Sequence, residues 1–272
     1  MSPASLSLLE KLIAFDTVSR HTNLALIEFV RNYLTDLGLM PTLIYNEDRS
    51  KANLHVLIGP PVDGGVVLSG HTDVVPVDGQ PWDTAPFSLS RNNNKLYGRG
   101  TCDMKGFLAV ALAKVPAMLS APLKRPIHLA FSYDEEIGCF GAPHLIKHLL
   151  EHEPKPHAII VGEPTSMQAV IAHKGIAAIK TTVIGHEAHS SQVQRGASAV
   201  TIAARLVSFI DDLMQENQRQ ADPDSPFVPP YTTLHTGVIQ GARPSILFRV
   251  SARLSGIFAT YPETPHSLIL IV

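Results

Sequence analysis

The sequence predicts an α/β protein with a mostly parallel central sheet, joined to a second, smaller α+β unit. Short β-rich runs alternate with amphipathic helices up to about residue 175, which is typical of strand–helix–strand units. Beyond that point an alternating strand candidate, a long helix and a proline-rich loop follow one another. With 272 residues, 45% of them hydrophobic, the chain can build a sizeable core.

Two amphipathic helices open the chain. Leu6, Leu9 and Ile13 recur at helical spacing, and a second periodic run ends before Gly38, a typical helix C-terminal cap. Further elements follow in order: strands at 54–59, 65–70, 127–133 and 157–163, helices near 104–119 and 141–152, and then the strand "IAAIKTTVIG", the helix "ASAVTIAARLVSFIDDLM" and the strand "TTLHTGVIQG".

The amino-acid composition limits which binding partners and which cellular compartment we expect. Lys and Arg total 22 against 24 Asp and Glu, a net charge of -2, which argues against nucleic acid or an anionic membrane as the main partner and favours a small molecule. Two cysteines are too few for a disulfide framework. The N-terminus lacks the pattern of a signal peptide and no apolar run is long enough to span a membrane, so we expect a cytoplasmic protein.

Acidic residues and a histidine follow the predicted strands directly. In open α/β sheets, ligands bind beyond the carboxyl ends of the strands. An edge that combines imidazole with carboxylates suits a dication such as zinc, cobalt or manganese. The candidates are His71 and Asp73 after one strand, Asp134, Glu135 and Glu136 after another, Glu163 after a third, and Asp103 just before a helix.

Each candidate has an ordinary structural explanation when it is taken alone. The "HTD" segment can be a turn closed by an Asx motif, Asp103 can be a helix N-cap, and Glu163 can be a plain loop acid. Their shared position at one edge favours a metal site. His71 and Asp73 point the same way in an extended segment, so one can bind metal while the other orients it.

The adjacent glutamates cannot have the same task. Successive side chains of an extended segment point in opposite directions, so Glu135 and Glu136 cannot both lie on one ion. One of them can bind metal while the other holds a water and moves a proton, which is the division that metal-assisted hydrolysis needs.

Other candidates carry less weight. His144, His148 and His152 form a stripe on one predicted helix, for which we expect a solvated face rather than a metal site. Cys102 has no base near it in sequence, and its turn neighbours predict packing. His189 in "GHEAHSSQ" follows the first strand of the second unit and could reach a site from a lid.

Five motifs together resemble one family. "SGHTDVVPVDG", "YGRGTCDMKG", "SYDEEIGCFGA", "VGEPTSM" and "GHEAHSS" occur in the order and spacing of the aminoacylase/carboxypeptidase family of dinuclear zinc hydrolases, over residues 1 to about 240. The resemblance implies a zinc-peptidase-like catalytic domain with an inserted lid and dimerisation domain, and hydrolysis of an N-acyl amino acid. It also implies two zinc ions, for which cobalt is a possible substitute.

The resemblance assigns roles residue by residue. Asp103 would bridge the two ions, His71 and Glu163 would complete one of them, and Glu136 would serve the other. Glu135 resembles the general base, and Asp73 resembles the catalytic acid that orients His71. His189 resembles a lid histidine that helps to polarise the scissile carbonyl across a homodimer.

The resemblance divides the chain into three parts: a catalytic part at 1–175, a partial lid at 176–241 and an aberrant tail at 242–272. After "TGVIQG" the family reads similarly to "GTALNIVP", and a gene that loses one base of a G run would encode "ARPSILFR" instead. "GIFATYPET" decodes in the same shifted register. We therefore expect both domains to be incomplete, one further metal-binding histidine to be missing, and activity to be absent or impaired; a diverged short homologue is the alternative.

Overall fold

The computed structural model of the protein describes residues 1–240, 251–260 and 269–271. The helices are α1 (Pro3–Ile13), α2 (Leu24–Asp36), α3 (Lys105–Ser120), α4 (Ala142–His152) and α5 (Ala199–Arg219), with a 3-10 helix at Ser190–Arg195. The strands are β1 (Thr42–Tyr45), β2 (Ala52–Ile58), β3 (Val66–His71), β4 (Ser90–Asn92), β5 (Lys95–Tyr97), β6 (Ile127–Ser132), β7 (Ala158–Val161), β8 (Gly175–Ile184), β9 (Thr233–Gln240), β10 (Ser251–Thr260) and β11 (Ile269–Ile271).

The first unit is built on a six-stranded sheet with the order β1-β2-β6-β3-β7-β11. The neighbours β6, β3, β7 and β11 pair in parallel, whereas β2 runs antiparallel to both β1 and β6. The predicted α/β class with a mostly parallel sheet is therefore confirmed. Because β3, β6 and β7 are parallel neighbours, their carboxyl ends meet at one edge of the sheet.

Helices cover both faces of this sheet. On one face α1, α2 and α3 bury the main core together with Leu54 of β2 and Phe131 of β6. On the other face Leu145 of α4 packs against Val67 and Ala130. Strands β2 and β6 therefore lie between two helical layers, which explains why most of their residues are buried on both faces.

The second unit begins at His173. Its antiparallel sheet has the order β8-β10-β9, and Ala199 and Ala203 of α5 pack with Val183 of β8. The sequence predicted divisions after residues 175 and 241. Within the predicted tail, β10 lies in the sheet of the second unit and β11 pairs with β7, while residues 242–250, 261–268 and 272 lie outside the described residues.

Sequence patterns did not reveal the hairpin of β4 and β5. Its two-residue loop consists of Asn93 and Asn94, which have φ of 48° and 60°. Positive φ at both central residues is the geometry of a type I′ turn, and asparagine tolerates it better than most residues. The dipeptide "NN" between polar strand residues was therefore the available signal.

The helix stripe predicted to be a solvated face divides into two parts. His144 and His152 are exposed as expected, but the side chain of His148 is only 16% exposed and its ring lies 5.5 Å from that of His55 in β2. The prediction is wrong for His148 because α4 turns this residue toward the sheet.

Among the described residues, no helix is both long and apolar enough to cross a membrane.

A fully buried lysine connects two of the core helices. The ammonium of Lys105, the first residue of α3, donates to the carbonyl oxygens of Leu12 (3.0 Å) and Phe15 (2.8 Å) at the end of α1. Burial lowers the pKa of this lysine to about 7. Carbonyls at a helix C-terminus lack intrahelical donors, so Lys105 supplies what the end of α1 needs.

We expect Lys105→Met to lower the free energy of unfolding by about 1–3 kcal/mol, because methionine fills the space but removes the ammonium that donates to both carbonyls, which leaves Leu12 with only the 3.4 Å bond from the Phe15 N–H. Urea unfolding measures the change. Lys114→Met on the exposed face of the same helix is the matched control and should leave the transition nearly unchanged. Equal effects of the two substitutions would contradict the bridging role of Lys105.

Candidate metal centre

Four side chains from three strand ends and one turn converge at the carboxyl edge of the first sheet. Nε2 of His71, the last residue of β3, lies 2.9 Å from Oδ1 of Asp103, 3.7 Å from Oε1 of Glu163 and 4.0 Å from Oε2 of Glu135. The parallel register that aligns β3 with β6 and β7 brings these segments together. The histidine is buried, whereas the three acids are partly open to solvent.

Close packing of α3 on β3 positions Asp103. A Cβ on Gly70 would stand 2.8 Å from Cδ2 of Leu108 and 2.9 Å from Cε of Met104, so any larger residue would displace the ends of these two side chains. The backbone N–H of His71 also donates to Sδ of Met104 at 3.3 Å. Asp103 directly precedes Met104 and is thereby held beside the imidazole.

Asp73 holds the backbone of the two glutamates. Its buried carboxylate accepts hydrogen bonds from Oγ of Ser19 (2.7 Å) and from the backbone N–H groups of Glu135 (3.0 Å) and Glu136 (3.3 Å). Burial alone would raise the pKa of Asp73, but hydrogen bonds from His71, Ser19 and Glu135 lower it below its ordinary value. Asp73 therefore remains a charged acceptor at the centre of this network.

The orientation of His71 comes mainly from the main chain. Its Nδ1 lies 2.9 Å from the carbonyl oxygen of Asp73 and 3.5 Å from the Asp73 carboxylate. A carbonyl oxygen can only accept, so Nδ1 carries a proton and donates it. Nε2 is thus the nitrogen whose lone pair can bind a metal, and it faces the acids.

Negative charge accumulates at this edge. Burial, and next the charge of Asp103, raises the pKa of Glu136 to about 7; burial also raises the pKa of Glu163. Burial alone would lower the pKa of His71, but hydrogen bonds to Asp103 and Asp73 raise it to about 11. One imidazole thus faces several carboxylates that repel each other, and a dication would offset this repulsion.

The donor atoms fit a metal. Two overlapping groups share His71: one adds Asp103 and Glu163, the other adds Glu135 and Glu136, and in each the donor atoms lie within 4.8 Å of one another. Ligands of a tetrahedral zinc ion, with bonds of about 2.0–2.1 Å, lie roughly 3.3 Å apart. Imidazole nitrogen with carboxylate oxygen is a set that zinc accepts.

Not every predicted residue joins the cluster. Asp134, which the sequence placed with the two glutamates, is buried and pairs with Nζ of Lys51, the residue before β2. Its φ is 55°, and its carboxylate contacts Lys51 rather than joining either group of donor atoms around His71. Cys102 is exposed, so the prediction that it packs is wrong.

His189 lies in the second unit, where it caps the 3-10 helix. Its Nδ1 accepts the backbone N–H of Ser191 at 3.2 Å and lies 2.8 Å from the hydroxyl of the same residue. In the neutral ring the proton is therefore on Nε2, which makes that nitrogen a hydrogen-bond donor.

Residues 67–258 match the model of peptidase family M20/M25/M40. The chain is 34% identical over 246 residues to acetylornithine deacetylase of Pasteurella multocida and 33% identical to that of Salmonella typhimurium. Each alignment covers 88% of this chain and 63% of the relative, so the chain spans less than two thirds of their length. The family match ends at residue 258, within the predicted tail at 242–272, whose origin stays a prediction.

Solved structures share the fold. An M20 family metallo-carboxypeptidase from Sulfolobus solfataricus superimposes with a TM-score of 0.75 at 19% identity, covering 97% of this chain and 72% of its own. A dipeptidase from Saccharomyces cerevisiae gives a TM-score of 0.66 at 18% identity, covering 97% and 71%. A dinuclear metal binding peptidase of the M20 family from Bacillus subtilis gives 0.56 at 14%, covering 95% and 64%.

We expect Asp73→Asn to lower the free energy of unfolding of the metal-free protein by about 2–4 kcal/mol. The amide carries no charge, and its NH2 group would face the Ser19 hydroxyl or a backbone N–H, which are themselves donors. Chemical unfolding in the presence of a chelator measures it. Asp78→Asn, at an exposed carboxylate paired with Arg20, is the control and should change stability little. A stability loss for Asp73→Asn no larger than for the control would contradict the anchoring role.

Proposed function

Because the chain belongs to peptidase family M20/M25/M40, we propose that it is a metal-dependent amidohydrolase that converts N-acetylornithine and water to ornithine and acetate, a step of arginine biosynthesis. The observation that carries this proposal is the meeting of Asp103, Glu135 and Glu163 within 4.0 Å of one histidine nitrogen. The similarity to two acetylornithine deacetylases supports the choice of substrate.

The metal ligands in this proposal are four residues. His71, Asp103 and Glu163, which can place their donor atoms within 4.8 Å of one another, would hold one zinc ion. Asp103 and Glu136 would hold a second, as the family resemblance implies, with cobalt as a possible substitute. When bound, zinc polarises the amide carbonyl and lowers the pKa of water. His71 must lose its Nε2 proton to bind the ion, so metal uptake releases protons.

Glu135 acts as the general base in this proposal. Its backbone is fixed by the hydrogen bond to Asp73, while its side chain is 39% exposed and ends 4.0 Å from Nε2 of His71. A carboxylate at the border between solvent and the metal ligands can take a proton from the attacking water and return it to the departing amine. Asp73 contributes by fixing His71 and the backbone of both glutamates.

His189 would act from the second unit. We propose that its Nε2–H donates to the oxygen of the scissile carbonyl, which is the position where negative charge develops. The tautomer that the Ser191 N–H imposes supports this role. The proposal includes a homodimer in which this histidine serves the site of the partner subunit.

We further propose that the second ion binds weakly and that turnover by the 272-residue chain is slow. Apart from the shared Asp103, Glu136 is the single ligand that the proposal gives to that ion within the described residues. A site with so few protein ligands releases its ion easily. A non-catalytic protein is one alternative to this proposal, and removal of another acyl group, such as succinyl from diaminopimelate, is the other.

We expect the zinc-loaded protein to hydrolyse N-acetylornithine faster than other N-acyl amino acids, and Glu135→Gln to lower kcat by about 100-fold or more with unchanged zinc content. Assays of ornithine release, with metal analysis of each variant, measure both quantities. Glu47→Gln, at an exposed acid of the same unit, is the control and should keep full activity.

Three results would change the proposal. Faster release of succinate from succinyl-diaminopimelate would favour the alternative substrate. No turnover of any substrate at saturating zinc would contradict hydrolysis by this chain. Two tightly bound zinc ions with rapid turnover would contradict the weak second site.

A further inference from the structure

A second cluster of metal-binding side chains lies on the face of the first sheet that α4 covers. His55 of β2 and His128 of β6 are diagonal neighbours on this face, because His55 pairs with Ala130 and Leu57 pairs with His128. Glu153, the residue after α4, reaches the same place. Both histidines are buried, with 1% and 0% of their surface exposed.

The side chains are close enough to share a ligand. Nε2 of His55 lies 3.0 Å from Nδ1 of His128, and Nδ1 of His55 lies 3.3 Å from Oε1 of Glu153. Nε2 of His148 lies 3.7 Å from the same oxygen. One donor atom each from His55, His128 and Glu153 can be chosen so that all three lie within 4.8 Å of one another.

Two buried nitrogens of the cluster make no hydrogen bond among the described residues. Nε2 of His128 and Nε2 of His148 are buried and have no hydrogen-bond partner in the part of the chain that the structure describes. Buried polar atoms are normally paired, and an unpaired one is costly. An apolar side chain at either position would avoid that cost, so packing alone does not account for the imidazoles.

The environment keeps the imidazoles neutral. Burial, with the neighbouring rings of His128 and His148, lowers the pKa of His55 to about 3, and burial lowers the pKa of His128 and of His148. A neutral imidazole offers a lone pair, whereas a protonated one cannot bind metal. Glu153 supplies one carboxylate, so the cluster has the mixed nitrogen and oxygen ligands that zinc accepts.

We propose that His55, His128 and Glu153 bind one zinc ion, with His148 as the fourth ligand. The ligand type is that of a structural site: imidazoles are in the majority, and the two histidines from the strands are buried. The ion would fasten the end of α4 to β2 and β6. It shares no ligand with the cluster around His71, so it does not depend on the proposed deacetylase activity.

The test uses the full chain with His71→Ala and Asp103→Ala, which removes the residue common to both groups at the sheet edge. Competition with a chromophoric zinc chelator counts the zinc that remains, and X-ray absorption counts its imidazole ligands. We expect one zinc ion per chain bound by two or three imidazoles. We also expect zinc at 100 times its Kd to raise Tm by roughly 5 °C or more.

Substitutions in the cluster identify the site. Glu153→Gln, at a partly exposed residue, should weaken zinc binding at least tenfold and abolish the rise in Tm, and His128→Leu should do the same. Glu151→Gln and His144→Gln, at exposed positions of α4, are the matched controls and should bind zinc normally. Circular dichroism of each variant establishes that it is folded.

Two outcomes would overturn the proposal. One is the absence of bound zinc in the chain with His71→Ala and Asp103→Ala. The other is zinc whose affinity is unchanged by Glu153→Gln. If His128→Leu does not fold, the imidazole count in the otherwise unaltered cluster still decides, because fewer than two imidazoles would contradict the assignment.

Discussion

The Asp73 carboxylate is the interaction on which the arrangement of the sheet edge depends. It lies just beyond β3, yet it accepts the backbone N–H groups of Glu135 and Glu136 in the turn after β6, and the hydroxyl of Ser19 donates to it from the N-terminal part of the chain. Three separate stretches of chain are thereby fixed to one charged group. The sequence predicted an extended segment in which the two glutamates point in opposite directions, but Glu135 and Glu136 lie in a turn. Their donor atoms can therefore lie within 4.8 Å of one another beside His71.

Sequence patterns predicted the sheet edge well because the rule behind it is local. Strand periodicity locates the strand ends, and parallel neighbours bring those ends together, so His71, Glu135 and Glu163 could be grouped without knowing any distance. What could not be predicted depends on strand order and helix rotation. The partner of Asp134 is Lys51, 83 residues away in sequence, and only the pairing of β2 with β6 brings them together.

The same limit explains the cluster at His55. A lone histidine within an apolar strand resembles an ordinary core residue, and nothing in "NLHVLIG" or "IHLAFSY" indicates that the two strands pair with their histidines on the same face. The sequence did show His144, His148 and His152 on one face of α4, but it did not show that His148 faces the sheet. Burial then separates the two clusters chemically: carboxylates dominate where solvent is near, and neutral imidazoles dominate inside the sheet layer.

The direction of strand β2 determines which of its two ends lies beside the acidic residues at the sheet edge. Because it runs antiparallel to β6, its beginning, rather than its end, lies at the edge where the acids collect. Lys51 stands there, one residue before the strand, and neutralises Asp134. A parallel β2 would have presented Gly59 at this edge instead. The direction of one strand therefore determines that Asp134, rather than either glutamate, pairs with a lysine. Glu135 and Glu136 keep negative charge that a bound cation can offset.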